Sequence, residues 1–228
     1  MRFLLALLAL PLAAATAMVL VDVLQAAACS ESFFSVELFS LVAGFTTFCL
    51  FWMVFPGGMV RTYVLGHELT HALWGMAFGA RPSNLKVSLR GGSVMLTKSN
   101  FLITLAPYFF PFYTILTVLA ALIVRAFANP LPMPAVWLFA VGFTWSFHFG
   151  FTLKSLAQRQ PDVIEYGHLF SWVVIWTFNL LGVVLWIVVT TEVSFACAWA
   201  SVADRVPMVY LTIWRWGRQL YDFLTAAV

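Results

Sequence analysis

The sequence predicts an all-α, multi-pass membrane protein of about six transmembrane helices, with a short β-hairpin and a C-terminal interfacial helix. Three observations indicate this fold class. Of the 228 residues, 63% are hydrophobic and only 9% are charged, whereas about a quarter of the residues in a typical soluble domain are charged. Apolar runs long enough to cross a bilayer recur along the chain. One stretch near residue 90 alternates apolar and polar residues, as a β-hairpin does.

The membrane segments are read from charge-free runs of about 20 residues, the length that a spanning helix needs. These runs are Phe3–Val21, Leu38–Val60, Phe101–Val124, Leu131–Leu153 and Leu169–Thr191. The second run continues past Arg61 into a further apolar segment, Thr62–Ala80, which contains Glu68. The first run is longer than the core of a signal peptide, and we therefore expect residues 1–28 to be retained as a helix.

Residues 81–100 are the extended part of the chain. The stretches LKVSL and SVMLT flank Gly91 and Gly92, which predicts a hairpin that turns at these glycines. The hairpin is either a plain connection between helices or an open strand edge that pairs with an extended peptide. On the second interpretation, Gly91 and Gly92 bind substrate. Residues 194–228 mix tryptophans with arginines, which is typical of a helix at the membrane interface.

The charge distribution predicts topology and organisation. Basic residues collect in the hairpin segment and in residues 154–168, which places both on the cytoplasmic face. Asp22, Glu31 and Glu37 predict an external loop. We divide the chain into residues 1–60 with two helices, 61–168 as a core that contains the segment with Glu68, the hairpin and two further helices, and 169–228 with the last span and the interfacial segment. The basic residues form no run of the kind that binds nucleic acid, so we expect the lipid bilayer, and no nucleic acid, as a partner.

The stretch HELTH at 67–71 places ionisable side chains in an apolar segment, where they are costly and usually functional. On a helix, His67 and His71 lie one turn apart on the same face, the spacing at which two imidazoles bind one Zn²⁺. Zinc lowers the pKa of a bound water to about 7. Glu68 is then placed to take the proton and deliver it to a leaving amine. The alternative is a pair of core histidines that hydrogen-bond to neighbouring helices.

A catalytic zinc usually takes a third protein ligand. The candidates are His148, within an apolar run, and Asp162, Glu165 and His168 in the stretch RQPDVIEYGH. Asp162 follows a proline at a membrane boundary on the same side as the hairpin, where a carboxylate can approach the histidines. Asn100 either donates a hydrogen bond to substrate or caps the helix that follows it. The residues themselves leave these alternatives open.

Together these features resemble the site-2 protease family of intramembrane zinc metalloproteases, the M50 group. The resemblance rests on HELTH in an apolar helix, an extended segment just after it, and an aspartate at the end of a later membrane helix, within residues 60–170. It implies that His67, His71 and Asp162 bind zinc and that Glu68 is the general base. The chain has PDV where Leu-Asp-Gly is usual in the family, and AP in LITLAPYFFP where Gly-Pro is usual.

The residues and the resemblance predict a zinc metalloendopeptidase in a bacterial inner membrane. It would hydrolyse a peptide bond of a membrane-protein substrate near the cytoplasmic face. Two alternatives are a zinc-dependent membrane hydrolase of a non-peptide substrate, such as a lipid, and a catalytically inactive membrane scaffold.

Overall fold

The computed structural model describes residues 2–30, 35–128, 130 and 132–226, and these are mostly helical. The described residues form nine α-helices and one two-stranded sheet. The helices are α1 (Arg2–Ala28), α2 (Val36–Val54), α3 (Val60–Ala77), α4 (Phe101–Leu105), α5 (Phe112–Phe127), α6 (Pro134–Leu156), α7 (Pro161–Tyr166), α8 (His168–Thr190) and α9 (Phe195–Ala226). Strands β1 (Pro82–Ser88) and β2 (Gly91–Leu96) follow α3, and a 3₁₀ turn (Ala106–Tyr108) follows α4.

The chain divides into two compact units. The terminal unit comprises Met1–Phe33 and Gly167–Val228 and contains α1, α8 and α9. The central unit, Phe34–Tyr166, contains α2 to α7 and the hairpin. The structure therefore groups α2 with the HELTH motif and α1 with the C-terminal helices, whereas the sequence division placed α1 and α2 together.

Helices α1, α2, α6 and α8 are the described helices that are long and apolar enough to cross a membrane. The segment Phe101–Tyr108, which comprises α4 and the 3₁₀ turn, is bent by 80° relative to α5. If this bent pair is taken as one span, it is the fifth candidate. Helix α3 is not among these candidates, because Arg61 and the ionisable residues of HELTH lower its hydropathy. The mainly helical membrane fold is confirmed, but the predicted number of about six spans is not.

The run Phe101–Val124, predicted as one helix, is broken between α4 and α5. Proline lacks a backbone N–H, and its ring clashes with the preceding helical turn. Pro107 lies in the 3₁₀ turn and Pro111 immediately precedes α5, so the break falls at these two prolines. The break brings Ile103 and Tyr108 into contact with the residues around α3, as described below.

The predicted hairpin is confirmed, but its turn differs from the prediction. Strands β1 and β2 pair antiparallel with Ser88 opposite Gly91, so Leu89 and Arg90 form the turn and both glycines belong to β2. Gly91 has a φ of 139°, a backbone conformation that favours glycine. Gly92 lies against α3, where a side chain would not fit, and this packing accounts for a glycine inside the strand.

Helices α2 and α6 cross closely in the central unit. A Cβ atom on Gly142 would overlap the carbonyl oxygen of Leu41, and one on Gly44 would overlap the carbonyl oxygen of Phe139. The two helix backbones are therefore in contact through glycines. The buried ring of Phe48 on α2 packs edge-to-face against aromatic rings of α6 beside this crossing.

We expect Gly142→Ala to destabilise the protein by about 1–3 kcal/mol, because the new methyl group must push α2 and α6 apart. Thermal unfolding of the purified protein in detergent measures the effect. Gly182→Ala in α8 is the matched control, since a Cβ at Gly182 meets no atom within 4 Å and alanine favours a helix over glycine. Equal unfolding midpoints for the two variants would contradict the close crossing.

In the terminal unit, α1 packs against α8 and α9 through buried aliphatic residues. The prediction that Asp22 lies in an external loop is wrong, because Asp22 lies within α1. Its carboxylate accepts hydrogen bonds from the Arg205 guanidinium of α9 at 2.7 and 2.8 Å, and from Ser201. An aspartate on an apolar helix is accommodated by this pairing. Glu31 lies outside the described residues, and Glu37 lies in the first turn of α2.

Candidate metal centre

Helix α3 presents the HELTH histidines to a cleft in the central unit. The spacing of four residues places His67 and His71 on one helix face, with ring centroids 4.9 Å apart. Only 13% and 12% of their side-chain surfaces are exposed. Elsewhere on α3, a Cβ on Gly66 would lie 2.7 Å from the Tyr113 ring, and the Tyr113 hydroxyl donates to the Thr62 carbonyl at 2.6 Å. This packing holds the helix in place.

Asp162, from the short helix α7, approaches both histidines. Pro161 begins α7, a position where its missing N–H costs little, and Asp162 follows in the first turn. Its Oδ2 atom lies 3.4 Å from Nε2 of His67 and 3.5 Å from Nε2 of His71. In a tetrahedral zinc site with bonds of about 2.0–2.1 Å, two ligand atoms lie about 3.3–3.4 Å apart. These two separations therefore fit a single zinc ion.

The three side chains form one compact group, in which the candidate ligand atoms all lie within 4.8 Å of one another. Within the described part of the chain, no other group of three histidine, cysteine or acidic residues meets this criterion. Burial raises the pKa of the Asp162 carboxyl, but hydrogen bonds with His67 and His71 outweigh burial and hold that pKa well below its usual range. Asp162 is therefore ionised, which is the form that binds a metal.

Two of the three candidate ligands are oriented by short hydrogen bonds to α4 and the 3₁₀ turn. Nδ1 of His71 donates to the carbonyl oxygen of Ile103 at 2.9 Å, so Nε2 is the nitrogen left for a metal. The fully buried Tyr108 donates its hydroxyl to Oδ2 of Asp162 at 2.9 Å. Such outer partners set the tautomer and orientation of metal ligands.

The outer contact of His67 is longer. Its Nδ1 lies 3.4 Å from the Tyr63 hydroxyl, which in turn lies 2.9 Å from Oγ of Ser155 on α6. The Tyr63 ring stacks on Phe151, with centroids 4.7 Å apart. Tyr63 is thus fixed by α6 beside the candidate ligand His67.

Sequence reasoning did not identify these outer residues. Tyr63 precedes His67 by one helical turn, so the helical spacing was a usable signal. Ile103 contributes a main-chain atom, which no sequence pattern marks. Tyr108 reaches Asp162 only because the chain breaks at the neighbouring prolines.

Glu68 faces the same cleft and is 7% exposed. Strand β2 lies directly over it, since a Cβ on Gly92 would lie 2.7 Å from both Cγ of Glu68 and Cγ1 of Val64. The backbone of Val94, also in β2, lies close to the Glu68 carboxylate, and Val94 lines the same cleft. Gly92 therefore allows the strand to approach Glu68 closely.

The cleft has a volume of about 720 Å³, within the usual range for ligand sites. It is bounded by α3, by the hairpin turn at Leu89 and Arg90, by β2, by the C-terminal end of α6 and by α7. Its outer part carries both charges and amides. The residues concerned are Arg90, Lys154, Gln158, Gln160 and Glu165.

The structure separates the three residues predicted to bind substrate. Gly91 and Gly92 line the cleft, whereas Asn100 is not part of its lining. Oδ1 of Asn100 accepts the backbone N–H of Ile103 at 3.0 Å and caps α4. This is the capping role that the sequence left open as an alternative.

The other candidates for third ligand do not join the group of His67, His71 and Asp162. Glu165 lines the cleft without joining the group. His148 is buried in α6, 7% exposed, and His168 begins α8 in the terminal unit. Of the four candidates, Asp162 is the one that the structure brings to His67 and His71.

No protein-family model, no curated protein and no solved structure matches this chain. The resemblance to site-2 proteases therefore rests on the residue patterns given above.

Proposed function

We propose that this protein is a membrane-embedded zinc metalloendopeptidase that hydrolyses a peptide bond of a membrane-protein substrate near the cytoplasmic face. The observation that carries the proposal is the group of His67, His71 and Asp162, whose two histidine–aspartate separations fit tetrahedral zinc. Glu68 lies beside this group, in a cleft large enough for a peptide segment.

Zinc suits the donor set better than a hard cation does. Ca²⁺ and Mg²⁺ prefer sites built from oxygen atoms, whereas this group offers two imidazole nitrogens and one carboxylate oxygen. Three protein ligands leave the fourth tetrahedral position open, as in catalytic zinc sites. Zinc held there would supply Lewis-acid activation of water and polarise a substrate carbonyl.

Glu68 would act as the general base and then as the general acid. Its carboxylate takes a proton from the attacking water and delivers it to the amine that leaves when the peptide C–N bond breaks. Strand β2 shields this carboxylate from bulk solvent, because Gly92 packs against the Glu68 side chain and the Val94 backbone lies close to the carboxylate. Both features support a defined position for the proton carrier.

Strand β2 also offers a means of holding the substrate. In the described part of the chain it pairs only with β1, so no strand of the described chain occupies its other edge, to which an extended peptide could be added. A substrate helix must unwind before hydrolysis, because its backbone carbonyls are already hydrogen-bonded. Residues of β2 that line the cleft, including Gly91 and Gly92, are in position to hold such an unwound segment.

The proposed membrane arrangement includes α3 as a sixth segment, entering the bilayer in part or crossing it. It places the hairpin and α7 on the cytoplasmic side of a bacterial inner membrane. The tryptophan- and arginine-bearing end of α9 lies at the lipid interface. The four or five candidate spans support the bilayer as a partner.

A substrate panel tests the proposed reaction. The protein is reconstituted in vesicles with tagged single-span peptides or with phospholipids as substrates. We expect peptide cleavage that a chelator abolishes and that one equivalent of Zn²⁺ restores. Hydrolysis of the lipids alone would replace the peptidase with a zinc-dependent lipid hydrolase. Far less than one zinc per chain, with no hydrolysis of either class, would instead indicate an inactive scaffold.

A further inference from the structure

His148 carries a buried nitrogen that the metal group does not use. The residue lies in α6 and is 7% exposed. Its Nε2 atom is inaccessible and has no hydrogen-bond partner among the described residues. Buried polar atoms are nearly always hydrogen-bonded, so this nitrogen needs a partner.

A cavity of about 20 Å³ lies against His148. This volume holds about one water molecule. Apolar and aromatic residues line much of it, and Tyr63, His67 and Thr70 are among the lining residues that carry polar groups. The Thr70 hydroxyl donates to the Gly66 carbonyl at 2.7 Å and keeps lone pairs with which to accept. The cavity therefore has the polar partners that a buried water requires.

His67 lines both this cavity and the cleft. Its Nε2 faces Asp162, and its Nδ1 has the Tyr63 hydroxyl at 3.4 Å. That contact is longer than the separation of about 2.7–3.2 Å of ordinary N–H···O hydrogen bonds. Nδ1 of His71, by contrast, has a carbonyl oxygen at 2.9 Å. His67 is thus the metal ligand whose outer hydrogen bond is incomplete.

We propose that one buried water in this cavity links Nε2 of His148 to Nδ1 of His67, which makes His148 a positioning residue for the metal ligand. The water accepts the Nδ1–H of His67 and donates to Nε2 of His148. His67 is thereby held in the tautomer that leaves Nε2 for the metal, the role that Ile103 has for His71. The inference deepens the proposed function and rests on the same metal group.

Two substitutions separate this role from simple packing. His148→Phe keeps the ring and removes its nitrogens, whereas His148→Gln keeps a polar group that can reach the water. We expect His148→Phe to weaken zinc binding about 10-fold or more, the usual effect of losing an outer partner, and His148→Gln to stay close to wild type. Chelator competition measures both affinities. Thr152→Val is the matched control, because the Thr152 hydroxyl is also buried on α6, has no partner in the part of the chain that the structure describes, and does not line the cavity.

Side-chain NMR of the zinc-loaded protein gives a readout that packing alone does not change. The chain has four histidines, so single variants assign their ring signals. The Nδ1–H proton of His67 should exchange slowly with solvent in wild type and in His148→Gln, and rapidly in His148→Phe. The corresponding proton of His71 should be unchanged throughout, because Ile103 accepts it.

Equal zinc affinity in the Phe and Gln variants, with an unchanged His67 proton, would overturn the link while leaving the metal site intact. Failure of the wild type to bind zinc would overturn the proposed function, and this inference with it. If His148→Phe does not fold, a structure of the wild type that resolves ordered water decides the matter. A water within hydrogen-bond distance of both nitrogens supports the link, and a dry cavity overturns it.

Discussion

Glu68→Gln is expected to keep its zinc and to lose hydrolysis, with the rate falling about 100-fold or more, as the loss of a general acid–base does. Glutamine has the shape of glutamate and keeps one oxygen that faces the Val94 backbone. It cannot accept the proton of the attacking water. Metal content per chain and cleavage of a tagged single-span peptide are measured on the same preparation.

Glu165→Gln is the matched control for this substitution. Glu165 also lines the cleft but lies outside the group that can hold a metal. We expect this variant to keep both zinc and cleavage. Turnover at the wild-type rate by Glu68→Gln would exclude Glu68 as the proton carrier, whatever the metal content.

Asp162→Ala is expected to weaken zinc binding by more than the roughly 10–100-fold that follows the loss of an outer partner. The reason is that Asp162 supplies one of three ligand atoms and the only negative charge among them. The substitution also leaves the buried Tyr108 hydroxyl without its acceptor, which costs about 1–3 kcal/mol of stability. Zinc affinity and thermal unfolding are therefore measured together.

Asp162→Asn separates these two effects, because its amide oxygen still accepts from Tyr108 while the charge is lost. It should unfold close to wild type and still bind zinc weakly. Alanine variants of Glu165 and His168 should retain zinc, and His148→Ala should show only the smaller loss of an outer partner. A loss in Glu165→Ala or His168→Ala as large as that in Asp162→Ala would refute the assignment of the third ligand.

The sequence predicted most of what depends on local geometry. Apolar runs indicated a helical membrane protein, because the bilayer sets both the length and the polarity of a span. The spacing in HELTH placed His67 and His71 on one face because helical periodicity is a local property. Alternation of apolar and polar residues likewise predicted the hairpin.

Local patterns were less informative where the packing of distant segments determines the structure. The prolines of LITLAPYFFP were visible in the sequence. A proline can either kink a helix or break it, and the stretch was interpreted as a single span. The turn was expected at Gly91 and Gly92, where glycine pairs commonly form turns. Gly92 instead lies in β2, because α3 leaves no room there for a side chain.

The sequence by itself determined that His67, Glu68 and His71 share one helix, and it offered four candidates for the ligand that joins them. Only the tertiary structure selected Asp162, because the approach of α7 to α3 depends on the path of the chain through α6. The same holds for the outer hydrogen bonds from Ile103 and Tyr108. Spacing along the chain defines faces within a helix, whereas contacts between distant segments depend on how the helices pack.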